Sequence, residues 1–154
     1  MPRPFAASTA PVGRAIVWQD RRTAARCAEL APDAARITAR TGLVVDPYFS
    51  ATKLEWLLRD DGLARRARSG EVLAGTVDSW LIWRLTGGAV HATDPTNASR
   101  TMLYDIDAGS WSPELCALFG VPMDLLPEVR PSSGPFGETT ADVLGTPIPI
   151  AGVA

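Results

Sequence analysis

The chain has 154 residues, of which 46% are hydrophobic and 21% charged, and a net charge of -2 at pH 7. That is the length of one globular domain with enough apolar side chain to build a core, which excludes a disordered or fibrous class. The mild acidity, with a pI near 5.3, excludes a nucleic acid or an acidic membrane as a partner gathered by bulk charge.

The opening stretch MPRPFAASTAPVGR has an early arginine but no apolar run, so it does not read as a secretory signal. RAIVWQD follows, and its apolar run over residues 15–18 predicts a buried strand. Asp20 stands where a helix N-cap would, before RRTAARCAEL, whose Ala, Cys and Leu spacing suits a helix. Pro32 and Asp33 restart a second helix through Arg40, with Gly42 as its C-terminal cap. GLVVD is short and β-branched and predicts an extended segment, and Pro47 holds Asp46 extended as well. Ser50 or Thr52 is then placed to cap a helix whose Leu54, Leu57 and Leu58 share a face, with Trp56 beside it.

A short helix over 63–68 ends at Gly70. EVLAGTVDSWLIWRLTGG predicts the clearest helix, with Thr76 as N-cap, Val77, Trp80, Leu81 and Leu85 at helical spacing, and Gly87–Gly88 as its close. Trp80 and Trp83 read as core packing. HATDPTNASRTMLYDID reads as a polar loop and a strand over 101–104, followed after Trp111 by a helix over 113–120. The remainder is rich in proline and glycine and extended, and IPIAGVA predicts a strand buried on both faces. There is no internal repeat and no low-complexity tract.

Chemistry read from the residues alone is sparse. Cys27 and Cys116 lie in apolar surroundings and read as buried thiols in a reducing compartment, and no stretch reaches the length of a membrane span. A cytoplasmic location is expected. His91 is the only histidine, in a hairpin-like segment, so no metal-ligand spacing exists. Neither a Walker loop nor G-x-G-x-x-G is present, and no Ser, Cys or Lys has a recognisable activating partner. The basic runs at Arg21–Arg22 and at 65–68 read as solvated helix faces. What stands out is polar and aromatic chemistry at element ends: Trp18, Gln19 and Asp20, then Tyr48 and Phe49, then the loop from Asp94 to Arg100. Aromatics exported to such positions in an α/β protein are candidates for a small-ligand pocket, with ordinary packing as the competing reading.

Five stretches, AIVWQDRRTAARC, TGLVVDPYFSATKLEWLL, GTVDSWLIWRLTGG, TDPTNASRTMLYDI and LLPEVRPSSGPFG, occur in that order. They resemble the FGGY carbohydrate kinases, over residues 14–154. The DPYFS and TNASRTM wording resembles the glycerol kinases of that family more than its xylulose or gluconate kinases. The resemblance implies an α/β fold: a partial actin-like, or ribonuclease H-like, domain, helix-rich with few strands. It also implies that residues 1–13 are an unmatched segment and that 14–154 form part of the family's N-terminal domain, truncated at both ends.

For function, the resemblance implies an ATP-dependent phosphotransfer from Mg-ATP to glycerol, giving glycerol 3-phosphate. Tyr48 matches the family tyrosine whose hydroxyl bonds a glycerol oxygen, and Trp18 the tryptophan that packs on the carbon backbone. Asp20 and Arg21, in a W-x-D-x-R pattern, are read as framing the site. The family's catalytic Asp follows a strand like IPIAGVA, which places the expected base just beyond Ala154. No catalytic residue is therefore expected within the chain, nor ATP or magnesium bound by it alone. Some glycerol kinases bind a sugar bisphosphate through an arginine just before IPI; Pro147 stands there and offers no cation. Beside a piece of glycerol kinase that is inactive alone, other readings stay open. They are a non-catalytic gene remnant, half of a split kinase with a complementing chain, a kinase of another polyol or sugar, and a free-standing polyol-binding module.

Overall fold

The computed structural model describes residues 11–154, so most of the opening segment expected to be unmatched lies outside the described residues. The chain is helix-rich. Helix α1 (Ala24–Glu29), a 3-10 turn at Ala31–Asp33 and α2 (Ala34–Thr41) follow one another closely. Then come α3 (Ser50–Leu57), α4 (Asp61–Arg68) and α5 (Val77–Leu85). Strand β1 (Ala92–Thr93) leads into the one-turn helix α6 (Pro95–Ala98), and β2 (Tyr104–Asp105) pairs antiparallel with β3 (Ser110–Trp111). Helix α7 (Pro113–Leu118), a second 3-10 turn at Met123–Leu125, β4 (Glu128–Val129), parallel to β1, and α8 (Ala141–Leu144) complete the described elements.

Local chemistry explains many of the boundaries. Gly42 ends α2 in the left-handed region at φ 69°, where the lack of a Cβ removes the steric penalty. The Asp60 side chain accepts from the Leu63 amide at the start of α4, and Ser112 does the same for Leu115 in α7. The main core gathers Leu30, Ile37, Phe49, Met102, Leu103, Leu115 and Phe119. A smaller one holds Ile82, Ala92 and Phe136. Both cysteines are buried free thiols, and burial pushes both up from the usual thiol value, Cys116 to about 11. No helix of the described residues is long and apolar enough to cross a membrane.

Several sequence expectations are corrected. The run over 15–18 is neither buried nor paired, because no strand among the described residues lies beside it, and Val17 is 54% exposed. Asp20 caps no helix: α1 starts four residues later, and the carboxylate is taken by Arg22. Neither Ser50 nor Thr52 caps α3. Phe49 occupies the N-cap, the Ala51 amide donates to the Thr101 carbonyl, and the Thr52 hydroxyl pairs with Thr23. Thr76 is the N-cap of α5, yet its hydroxyl donates to Asp78 rather than to a helix amide.

The buried face of α5 is also rotated from the expected one. Val77, Trp80 and Leu81 are exposed, while Asp78, Ser79, Ile82 and Trp83 are buried. The Asp78 carboxylate accepts from Thr93 at 2.5 Å. A buried carboxylate without such donors would be costly, so this bond sets the helix's rotation against its apolar spacing. The strand expected over 101–104 shrinks to Tyr104–Asp105, because Met102 turns the chain at φ 62°. His91 precedes a parallel pair rather than a hairpin. IPIAGVA is not buried on both faces. Hydrogen bonds such as Phe136 N to Ile150 O and Ile150 N to Gly137 O join it to the 132–139 segment on one side only, leaving Ile148 44% exposed. Ala154, the residue after which the resemblance puts the catalytic base, is exposed at the end of this segment.

These placements make a direct test. Phe119→Ala, at 1% exposure, is expected to cost about 3–5 kcal/mol in urea denaturation. Leu81→Ala, at 52% exposure, is expected to stay within about 0.5 kcal/mol of the parent. A loss above about 2 kcal/mol at Leu81 would restore the apolar-spacing face as the buried one.

Candidate functional site

The site begins with two loops that share no backbone ladder. In the first, the chain turns at residues 17–20, closed by the Asp20 amide donating to the Val17 carbonyl, and Trp18 projects from it. In the second, Asp46 and Pro47 make a tight turn: the Tyr48 amide donates to the Asp46 carboxylate at 2.7 Å and the Phe49 amide to the Asp46 carbonyl at 3.2 Å. That turn aims Tyr48 outward and sends Phe49, 6% exposed, into the core. The Trp18 and Tyr48 rings meet with centroids 5.7 Å apart and planes tilted by 48°. Phe49 supports Tyr48 edge-on at 5.1 Å. Trp18 and Tyr48 nevertheless remain 60% and 44% exposed, so the pair is a surface rather than a piece of core.

Helix α3 holds both loops from below. The Lys53 ammonium, on a side chain with only 6% exposure, donates to the Val17 carbonyl at 2.8 Å and to the Tyr48 carbonyl at 3.1 Å. Burial pushes Lys53 down from the usual lysine value, while the nearby Asp20 and Asp46 carboxylates oppose that shift. On the same helix Thr52 pairs with Thr23 at 2.8 Å, and Glu55 accepts from Arg26 Nε at 2.9 Å, which seats α1 against α3.

The framing residues divide. Asp20 accepts from the Arg22 side chain at 2.7 and 2.9 Å and from its amide, which holds the carboxyl at about 2. The Arg22 guanidinium also lies 4.5 Å from the Trp56 ring centre, so it pins the first loop to α3. Arg21 reaches outward to Asp46 at 3.9 Å, an exposed pair between the loops that contributes little. Sequence reading missed Arg22, although it is the last letter of the W-x-D-x-R pattern. It singled out the loop from Asp94 to Arg100 but did not join Arg100 to the aromatics, although its guanidinium lies 5.0 Å from the Phe49 ring centre and 5.8 Å from that of Tyr48. Lys53 was missed as well, with no local signal to reveal it.

The loop carrying Arg100 is set by Asp94, which is fully buried. Its carboxylate accepts from the amide and side chain of Asn97, the amide and hydroxyl of Thr96, and the Ser132 hydroxyl at 2.5 Å. Burial alone would raise this carboxyl; the bonds from Ser132, Asn97 and Thr96 outweigh it and hold the pKa at about 2.

The arrangement offers a ring pair for a carbon skeleton and a phenol for a hydroxyl. Among the described residues the Tyr48 hydroxyl makes no hydrogen bond. Among the described residues no three His, Cys, Asp or Glu side chains gather as metal donors, and Asp20 and Asp46 are committed to local partners. A hollow of about 420 Å³ lies elsewhere, between 133–138 and 149–151. Glu138 is the one ionisable side chain lining it, so it lacks the convergent polar groups of a ligand site.

Comparison with known proteins adds the following. Residues 4–154 match the FGGY family of carbohydrate kinases, N-terminal domain. The chain is 60% identical over 151 residues to a glycerol kinase of Cereibacter sphaeroides, covering 96% of this chain and 31% of that protein. It is 60% identical over 146 residues to one of Thermus brockianus, covering 93% and 30%. The chain thus spans about a third of the length of the curated relatives it matches. Among solved structures it superposes on Plasmodium falciparum glycerol kinase with ADP at TM-score 0.89 and 33% identity, covering 94% of this chain and 30% of that one. A xylulose kinase from Rhodospirillum rubrum gives TM-score 0.73 at 26% identity, covering 86% and 28%.

The Asp94 knot predicts an acid response. A carboxyl whose pKa falls from 3.8 to about 2 on folding contributes stability that is complete above 3.8 and lost as pH falls through 2. The urea midpoint of the parent is therefore expected to drop between pH 4 and 2. Asp94→Asn starts lower at pH 7 and declines less over that window. Parallel pH profiles for the two proteins would show that Asp94 is not the group responsible.

Proposed function

Because the chain belongs to the FGGY family of carbohydrate kinases, we propose that it supplies part of the polyol-binding face of an ATP-dependent glycerol kinase. The observation that carries this reading is the exposed Trp18–Tyr48 ring pair, built from two loops and left open to solvent. Aromatic faces suit the C–H backbone of a small polyol, and a phenol both donates to and accepts from a hydroxyl. In this reading Trp18 packs on the carbon chain of glycerol and the Tyr48 hydroxyl bonds one of its oxygens. Asp20 and Arg21 border the face. The 60% identity to named glycerol kinases supports glycerol over a larger sugar.

The reaction is transfer of the terminal phosphoryl group of ATP to a primary hydroxyl of glycerol. The residues of this chain orient the acceptor; in this reading Mg-ATP and the group that takes the hydroxyl proton are held by other parts of the complete kinase. In this reading the proton acceptor is supplied by residues that follow Ala154 in the complete kinase. Residues 1–154 by themselves are expected to release no ADP in response to glycerol.

The test replaces the matching segment of the Cereibacter sphaeroides glycerol kinase with residues 14–154 and follows ADP release with and without glycerol. Glycerol-dependent turnover is expected. Tyr48→Phe in that chimera loses one neutral hydrogen bond, worth about 0.5–1.5 kcal/mol, so KM for glycerol is expected to rise by up to about tenfold with kcat little changed. An unaltered KM would reduce Tyr48 to a packing residue.

A further inference from the structure

We propose that Lys53 is a positioning residue for the polyol face, acting through the main chain of both aromatic loops; this rests on the reading of Trp18 and Tyr48 given above. The two rings come from segments with no ladder between them, and the direct ties between those segments are few. One is the ring contact itself, at 5.7 Å. A second is the exposed Arg21–Asp46 pair at 3.9 Å. The third is Lys53, whose ammonium holds the carbonyl next to Trp18 and the carbonyl of Tyr48 at 2.8 and 3.1 Å.

Of these only Lys53 is buried, at 6% exposure. Lysine is among the residues least often fully buried, and desolvating its charge works against the fold. An apolar side chain would fill the same space more cheaply but would leave both carbonyls unpaired and the loops free to separate. Two charge-assisted bonds from one rigid helix fix the spacing of the rings instead. A ligand lying across both rings is sensitive to that spacing, because misplacement of about 1 Å can cost as much as a hundredfold in rate.

The experiment uses the same chimera and measures KM and kcat for glycerol together with Tm. Lys53→Met keeps the stem and removes the ammonium. It is expected to raise KM about tenfold while kcat stays within about threefold. Combined with Tyr48→Phe, it is expected to raise KM by less than the product of the single effects, because the two act on one contact. Thr52→Val, which breaks the neighbouring Thr23 pair on the same helix, is expected to lower Tm and leave KM unchanged. Lys53→Met with lowered Tm and unchanged KM would overturn the proposal, leaving Lys53 a stability residue. If Lys53→Met does not fold, Lys53→Gln decides on the same criterion, since it keeps donors but does not span both carbonyls. An unchanged KM in Tyr48→Phe removes the underlying site reading and this proposal with it. A raised KM in Tyr48→Phe beside an unchanged one in Lys53→Met removes this proposal alone.

Discussion

One buried ammonium joins two loops that no sheet connects. Lys53 reaches from the first turn of α3 to the carbonyls of Val17 and Tyr48, and the candidate site exists because those carbonyls are held together. Around it the first turn of α3 is enclosed on all sides, with Ala51, Thr52 and Lys53 consecutively buried. Such a run breaks helical amphipathicity. It is tolerated because each polar atom has a partner: Thr52 in Thr23, the ammonium in two carbonyls, and the Ala51 amide in the Thr101 carbonyl.

The same logic recurs wherever a charge is buried. Asp94 collects donors from its own loop and from Ser132, 38 residues away, and thereby fixes the loop that carries Arg100. Asp78 takes donors from Thr76 and Thr93 and turns α5 with it. In each case a carboxylate costly to bury becomes a fixed point once its acceptor sites are filled. The elements near the site are therefore located by polar knots as much as by the apolar core beneath them.

The exposed apolar surface has a different character. Trp18 and Tyr48 form a supported pair, with Phe49 packed beneath and Arg100 alongside. Val77, Trp80 and Leu81 on α5 are exposed, with the Arg84 guanidinium 5.8 Å from the Trp80 ring centre. Exposure alone does not distinguish a ligand face from an ordinary helix surface. Convergence of two loops on one ring pair, with a phenol unpaired among the described residues, is what supports the ligand reading.

How much was legible follows the range of the forces involved. Helix positions, the Gly42 cap, the turn at Pro47 and the burial of both cysteines depend on near neighbours in sequence, and the chain spelled them out. The motifs around Trp18 and Tyr48 pointed to the family because wording at fixed spacing survives without a structure. Strand burial was not legible: the runs over 15–18 and 148–154 are apolar enough for a sheet interior, but burial requires partners on both sides, and composition does not report them. The rotation of α5 was hidden for a related reason. Apolar spacing favoured Val77, Trp80 and Leu81, and a hydrogen bond across 15 residues to Thr93 overrode it. Nothing in the sequence singles out Lys53, and only tertiary structure places it beneath two loops. By itself the sequence determined the local elements and the family; the fold decided which polar groups meet, because a buried charge is stable only where distant donors or acceptors arrive to satisfy it.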